Sequence, residues 1–295
     1  MIPADAPATV GAVVGELVGL GWGRERLSAS LSMLYRELPR AERPRAAAAD
    51  GFELVESWWP FAPDEVPDAA AREGFARQLE HSGLSLASLN FSSGSRQTGE
   101  RGVPAVADGR ERLRRHVPVA LDLAERLGCA LMNLQYGRRD ASIPLEEQLE
   151  RADAAVAFIA ESAAARGVRV MVEPLCEVDS PGYLVQGIEA ALALCARVEA
   201  RSGVSIGVCF DLFQLHPHEP RLPDAVRRAG SRIAHVQLAD WPGRRAPGTG
   251  EIDIPAVLAA LRDIGYDGLL GLEYDTAGDT SAAQPPRIPT GADPT

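Results

Sequence analysis

The chain has 295 residues, 46% of them hydrophobic, and a formal net charge of −11. That length suits one large domain, and the acidic balance argues against the basic face of a nucleic-acid binder. No apolar run approaches the ~20 residues that span a bilayer, and no basic start precedes an apolar stretch, so neither a membrane span nor a signal peptide is expected and the protein reads as cytoplasmic.

In chain order, residues 1–26 form an N-terminal extension with an apolar segment at 10–20. Two readings stand for it: a helix closing the bottom of the domain, or a helix facing a partner, a second copy of the chain included. Strand-like runs then fall at 27–34, 52–57, 84–91, 129–135, 168–173, 205–211, 233–238 and 269–274. Amphipathic stretches lie between them at 40–49, 69–81, 109–127, 145–166, 183–201, 222–229 and 254–264. Glycines at 51, 83, 128, 167, 203 and 265 stand just before the next strand, where helix C-caps favour glycine. From 277 to 295 the chain is Gly, Asp, Thr, Ser, Pro and Ala with little apolar content, which reads as a disordered tail.

Strand followed by helix, repeated to eight strands, implies a parallel sheet with right-handed crossovers. No Gly-x-Gly-x-x-Gly or Walker segment follows an early strand, so a nucleotide-binding open sheet is disfavoured. The expected fold is α/β, a single (β/α)₈ TIM barrel over residues 27–276. Four cysteines, Cys129, Cys176, Cys195 and Cys209, form no Cys-x-x-Cys pair and read as buried free thiols.

Barrel active sites gather at the C-terminal ends of the strands. Here the second strand ends with Glu56, the fifth with Glu173, the sixth with Asp211 and the eighth with Glu273, while the seventh carries Gln237. Each acid alone reads equally well as a helix start. Together, carboxylates on one rim repel one another unless a cation joins them. An all-oxygen set of Glu173, Asp211, Gln237 and Glu273 suits a divalent ion, Mg²⁺ or Mn²⁺ first, with Co²⁺ or Zn²⁺ as alternatives. His235 shares a strand face with Gln237 by the period of two, and either contacts substrate or serves as an ordinary barrel histidine. Trp58, Trp59 and Trp241 stand where they can wall a pocket or pack beneath a loop.

Nine segments in order carry a family resemblance: LSMLYRELP (31–39), GFELVESWWPF (51–61), TGERG (98–102), VMVEPL (170–175), FDLFQ (210–214), AHVQLAD (234–240), PGR (242–244), GEI (250–252) and GYDGLLGLEY (265–274). The chain resembles the xylose isomerase-like barrels of the sugar isomerase and epimerase superfamily, and within it the hydroxypyruvate isomerases. The resemblance implies a metal on Glu173, Asp211, Gln237 and Glu273, with Glu173 and Glu273 as the catalytic pair that moves a proton through an enediolate. It implies a substrate pocket containing Arg101 and Arg244. Glu56, Asn133, Gln214 and His235 are further candidate substrate contacts, and Arg101, whose other reading is a pair with Glu100, is the expected partner of a substrate carboxylate.

Three positions depart from the isomerase pattern. Gln214 and Asn133 stand where the family has His, and Ala246 where it turns acidic. His216, two residues beyond Gln214, reads as a surface histidine. These swaps keep hydrogen bonding but remove a proton shuttle. The function expected is therefore a metal-dependent isomerase of a small α-hydroxy carbonyl compound. Alternatives are an epimerase or isomerase of a larger ketose or modified sugar, a lyase on the same metal site, and a non-catalytic barrel that binds. A nuclease barrel needs many histidine ligands, and this chain has five histidines. The expected partner is a small molecule, with no nucleic acid and no membrane.

Overall fold

The computed structural model describes residues 9–63 and 65–276. The segment expected to be a disordered tail and the first part of the N-terminal extension lie outside these residues. Eight parallel strands close into a barrel in chain order: β1 (Leu27–Ser30), β2 (Leu54–Ser57), β3 (Ser85–Asn90), β4 (Leu131–Leu134), β5 (Arg169–Val172), β6 (Gly207–Asp211), β7 (Ile233–Leu238) and β8 (Leu270–Leu272). Closure is the β1–β8 ladder, with Leu27 opposite Leu270 and Ala29 opposite Leu272. The expected fold is the one found.

Helices fill the crossovers. α2 (Arg43–Ala49), α3 (Ala69–His81), α4 (Gly109–Arg126), α5 (Leu145–Ala164) and α6 (Gly187–Ser202) each follow a strand. After β6 come a short α7 (Leu212–Leu215) and α8 (Leu222–Ala229), and after β7 comes α9 (Ile254–Asp263). Each turns an apolar stripe inward, as Leu113, Val117, Ala120, Leu121 and Ala124 do on α4. Gly83 and Gly203 end α3 and α6 at φ of 69° and 71°, a region that a Cβ disfavours.

Two expectations need correction. The first strand is shorter than 27–34, because the Leu34 N–H turns back to the Ser30 carbonyl at 2.8 Å. Hydrophobic runs set a strand's face, but the ladder partner sets its end. The N-terminal helix, α1 (Val10–Gly19), does not close the bottom of the barrel. Its Val13 and Leu17 line a small cavity together with Pro247 and Ile252 of the segment leading into α9 and with Ile254 of α9 itself, while Arg262 at the far end of α9 donates to the Leu20 carbonyl. The helix therefore runs along the barrel's flank beside α9. Among the described residues no helix follows β8. Among the described residues no helix is long and apolar enough to cross a membrane.

Candidate active site

Glu173 and Glu273 stand one residue beyond β5 and β8, and Asp211 ends β6. One carboxylate oxygen of each lies within 4.8 Å of those of the other two, and all three residues are buried. Asp211 is also a helix cap: its Oδ1 accepts from the N–H groups of Phe213 and Gln214 at 2.8 and 3.3 Å. The helix-start reading thus holds for Asp211 without excluding the other, because Oδ2 remains turned to the cluster.

Arg244 inserts between two of these acids. Its Nη2 donates to Asp211 Oδ2 at 2.7 Å and to Glu273 Oε2 at 2.5 Å, and its Nε donates to the Glu273 carbonyl at 3.1 Å. Burial works against its charge, but Asp211 and Glu273 outweigh that and keep it protonated. A single guanidinium does not neutralise three carboxylates. Burial first, then the charge of Asp211, pushes Glu173 up to about 7. Glu273 is likewise raised by burial and by the acids around it, despite Arg244. This excess of buried negative charge on hard oxygen donors fits a divalent cation.

Each acid is held from outside the cluster. Asn133 Nδ2 and Gln135 Nε2 both donate to Glu173 Oε2, at 2.6 and 2.9 Å. Trp58 Nε1 donates to Glu273 Oε1 at 2.6 Å. Gln237, expected as the fourth ligand, has both ends of its amide engaged elsewhere. Its Nε2 donates to Glu56 Oε1 at 2.8 Å and its Oε1 accepts from Cys209 Sγ at 3.1 Å. Glu56 in turn sits 2.6 Å from His235 Nε2. A Cβ at Gly271 would overlap the Glu56 carboxylate, so the missing side chain on β8 is what admits this buried pair.

Above the acids opens a cavity of about 430 Å³, lined by Trp58, Phe91, Arg96, Gln135, Asp179 and Leu175 together with Glu173, Glu273 and Arg244. Of the expected substrate contacts, Arg101, Gln214 and Arg244 line it, whereas Glu56, Asn133 and His235 do not. Those three are correctly placed inside the barrel but act on other side chains. Gln214 is engaged twice, accepting from the Cys176 N–H at 2.8 Å and donating to Asp179 Oδ2 at 3.1 Å. Arg101 does not pair with Glu100, which binds Arg112 at 2.6 Å. It bonds the Asp179 carbonyl at 3.0 Å. Asp179 escaped the sequence reading because it lies six residues past Glu173, in a loop without motif. Arg96 precedes the TGERG segment that contains Arg101 and belongs to no motif of its own. All four cysteines are buried and free, as expected.

A closed barrel with buried acids beneath a cavity at the strand ends has the arrangement of a barrel enzyme's active site. Residues 44–293 match the sequence profile of the xylose isomerase-like TIM barrels. A Streptomyces coelicolor protein, named provisionally as a hydroxypyruvate isomerase, is 36% identical over 92% of this chain and 99% of its own length. The 2-oxo-tetronate isomerase of Cupriavidus necator is 34% identical over 87% and 95%. A crystal structure from Brucella melitensis, described as an AP endonuclease of family 2, superposes with a TM-score of 0.76 at 29% identity, over 88% of this chain and 96% of that one. The chain belongs to the xylose isomerase-like TIM barrel family, and within it to the isomerases.

Proposed function

We propose that the chain interconverts a small 3-hydroxy-2-oxo acid and its 2-hydroxy-3-oxo isomer, hydroxypyruvate and tartronate semialdehyde being the three-carbon pair. The observation that carries this reading is the pairing of Glu173 and Glu273 within one buried acid cluster under a cavity lined by arginines. The relatives named for hydroxypyruvate and 2-oxo-tetronate agree with it. Glu173, Asp211 and Glu273 are the residues that would hold a divalent ion. When bound, that ion supplies Lewis-acid polarisation of the substrate's vicinal oxygens.

The remaining steps belong to side chains. Glu173, oriented by Asn133 and Gln135, removes the proton from C3. The electrons of the broken C–H bond move into an enediolate, whose charge faces the Arg244 guanidinium. Glu173 or Glu273 returns a proton to C2, and the proton of the C3 hydroxyl passes to the C2 oxygen as the C3 carbonyl forms. Trp58 and Arg244 hold Glu273 in place, and Asn133 and Gln135 hold Glu173.

An AP-endonuclease reading is opposed by a net charge of −11 and by the ligand type. Among the described residues, the acid cluster that fits a metal contains no histidine. A longer substrate has one observation in its favour, since 430 Å³ leaves room beyond three carbons.

The test is solvent deuterium uptake at C2 and C3, followed by NMR, on metal-stripped protein with Mg²⁺, Mn²⁺, Co²⁺ or Zn²⁺ restored in turn. Hydroxypyruvate is run beside a four-carbon 3-hydroxy-2-oxo acid and neutral ketoses. Metal-dependent exchange on an acid, reduced at least ~100-fold in Glu173→Gln and Glu273→Gln, is expected. Exchange only on neutral ketoses would move the assignment to a ketose epimerase, and none on any substrate would sink the reading.

A further inference from the structure

Arg96, Arg101 and Arg244 line the cavity together with Arg40, and Arg101 and Arg244 are already committed. Arg244 bridges Asp211 and Glu273, and Arg101 lies on Asp179, at 3.0 Å from its carbonyl and 3.8 Å from its carboxylate. Arg96 differs. Among the described residues no carboxylate lies within 4 Å of it, and its guanidinium carbon stacks 4.6 Å from the centre of the Trp58 ring. Arg96 is exposed to solvent at the cavity wall. Trp58 is the residue whose indole N–H touches Glu273, so one ring connects the proton-moving acid to this unpaired cation.

The segment that carries Arg96 is fixed. The Gly102 N–H donates to the Ser93 carbonyl at 2.7 Å, and Arg138 Nη1 donates to the Gly99 carbonyl at 2.8 Å. Glu100 Oε2 accepts from the Ser95 N–H at 2.7 Å. Gly102, at φ 136°, lies so close to Gly137 and Tyr136 that a Cβ would overlap both. A guanidinium stacked on an aromatic face keeps its in-plane N–H fork free, which is the geometry that binds a carboxylate in a bidentate way.

We infer that Arg96, not Arg101, receives the carboxylate of the substrate, with Trp58 setting the span between that carboxylate and the reacting carbons at Glu173 and Glu273. This rests on the proposal that the substrate is a hydroxy-oxo acid. Arg101 then has a positioning role, holding the Asp179 loop at the rim.

The experiment compares wild type, Arg96→Met, Arg96→Lys and Arg101→Gln, each checked for an unchanged melting temperature. Binding of D-glycerate, an acid with no carbonyl to isomerise, is read by calorimetry, and turnover of hydroxypyruvate gives kcat and KM separately. Loss of a charge-assisted fork weakens binding roughly 10- to 100-fold. Glycerate affinity and KM should change by that factor in Arg96→Met and less in Arg96→Lys, with kcat held within about threefold. Arg101→Gln should move KM less than Arg96→Met. Equal glycerate binding by wild type and Arg96→Met, no binding by wild type, or a larger effect at Arg101 each overturns the assignment. Glycerate binding that depends on Arg96 without turnover of any acid would leave this subsite standing and remove the isomerase reading. Turnover unaffected by Arg96→Met would do the reverse.

Discussion

Trp58 shows how one side chain joins chemistry to recognition. Its N–H reaches Glu273 Oε1 at 2.6 Å while its face supports Arg96. Phe at this position keeps the face and removes the donor. A hydrogen bond to a charged acceptor contributes roughly 1.5–3 kcal/mol. Trp58→Phe is therefore expected to lower kcat about tenfold or more with KM nearly unchanged, the opposite split from Arg96→Met. Steady-state kinetics on both variants checks this, and a Trp58→Phe enzyme whose KM alone rises would break the link to Glu273. At this scale the sequence revealed the acids well and their neighbours poorly. Glu173, Asp211 and Glu273 end apolar strands, a position visible in one dimension. Whether Gln237 turns to the acids or to Glu56 depends on Gly271 across the ladder, and no spacing within β7 encodes that.

The β3–α4 unit illustrates what elements add. His116 on α4 reaches back to the loop after β3, where its Nε2 accepts from the Ser92 N–H at 3.0 Å. Its ring stacks edge-on to Trp59 at 4.5 Å. Burial lowers its pKa from 6.5 to about 4, so it is neutral in the folded protein at pH 7. Between those two values the unfolded chain binds a proton that the folded chain refuses. Its contribution to stability is complete above about pH 6.5 and is lost as pH falls toward 4, and from about pH 7.5 to about pH 5 this one group accounts for about 2 kcal/mol. Denaturant unfolding at both pH values should show wild type declining more steeply than His116→Gln by about that amount. Parallel declines would mean that His116 is protonated in the fold. The main strands and helices were legible, because strand and amphipathic helix alternate seven times, whereas the short α7 was not. Nor was α1's place legible. An apolar helix ahead of a barrel reads the same whether it closes the bottom or lies along the flank. Only Ile252, Ile254 and Arg262, more than 230 residues away, decide it.

For the molecule as a whole, the acid cluster ties stability to its counter-charge. Asp211 and Glu273 have Arg244 between them, and Glu173 adds a third carboxylate held up near pH 7. A divalent ion that binds this cluster in the folded chain alone must stabilise the fold, by about 2.7 kcal/mol at a hundredfold excess over its Kd. For a chain of this size that is a rise of roughly 5 °C in melting temperature over protein in chelator. The readout needs no substrate, so it separates the metal site from the isomerase reading. Asp211→Asn should abolish the rise. Arg244→Met supplies the sharper comparison. Removing one member of a buried ion pair costs roughly 3–5 kcal/mol, because the remaining charge has no partner. In chelator Arg244→Met should therefore melt well below wild type, and the same ion should raise it by more than it raises wild type, since metal then replaces both counter-charges. If Mg²⁺, Mn²⁺, Co²⁺ and Zn²⁺ leave both proteins unmoved, the three carboxylates do not form a metal site, and Arg244 is their sole counter-ion.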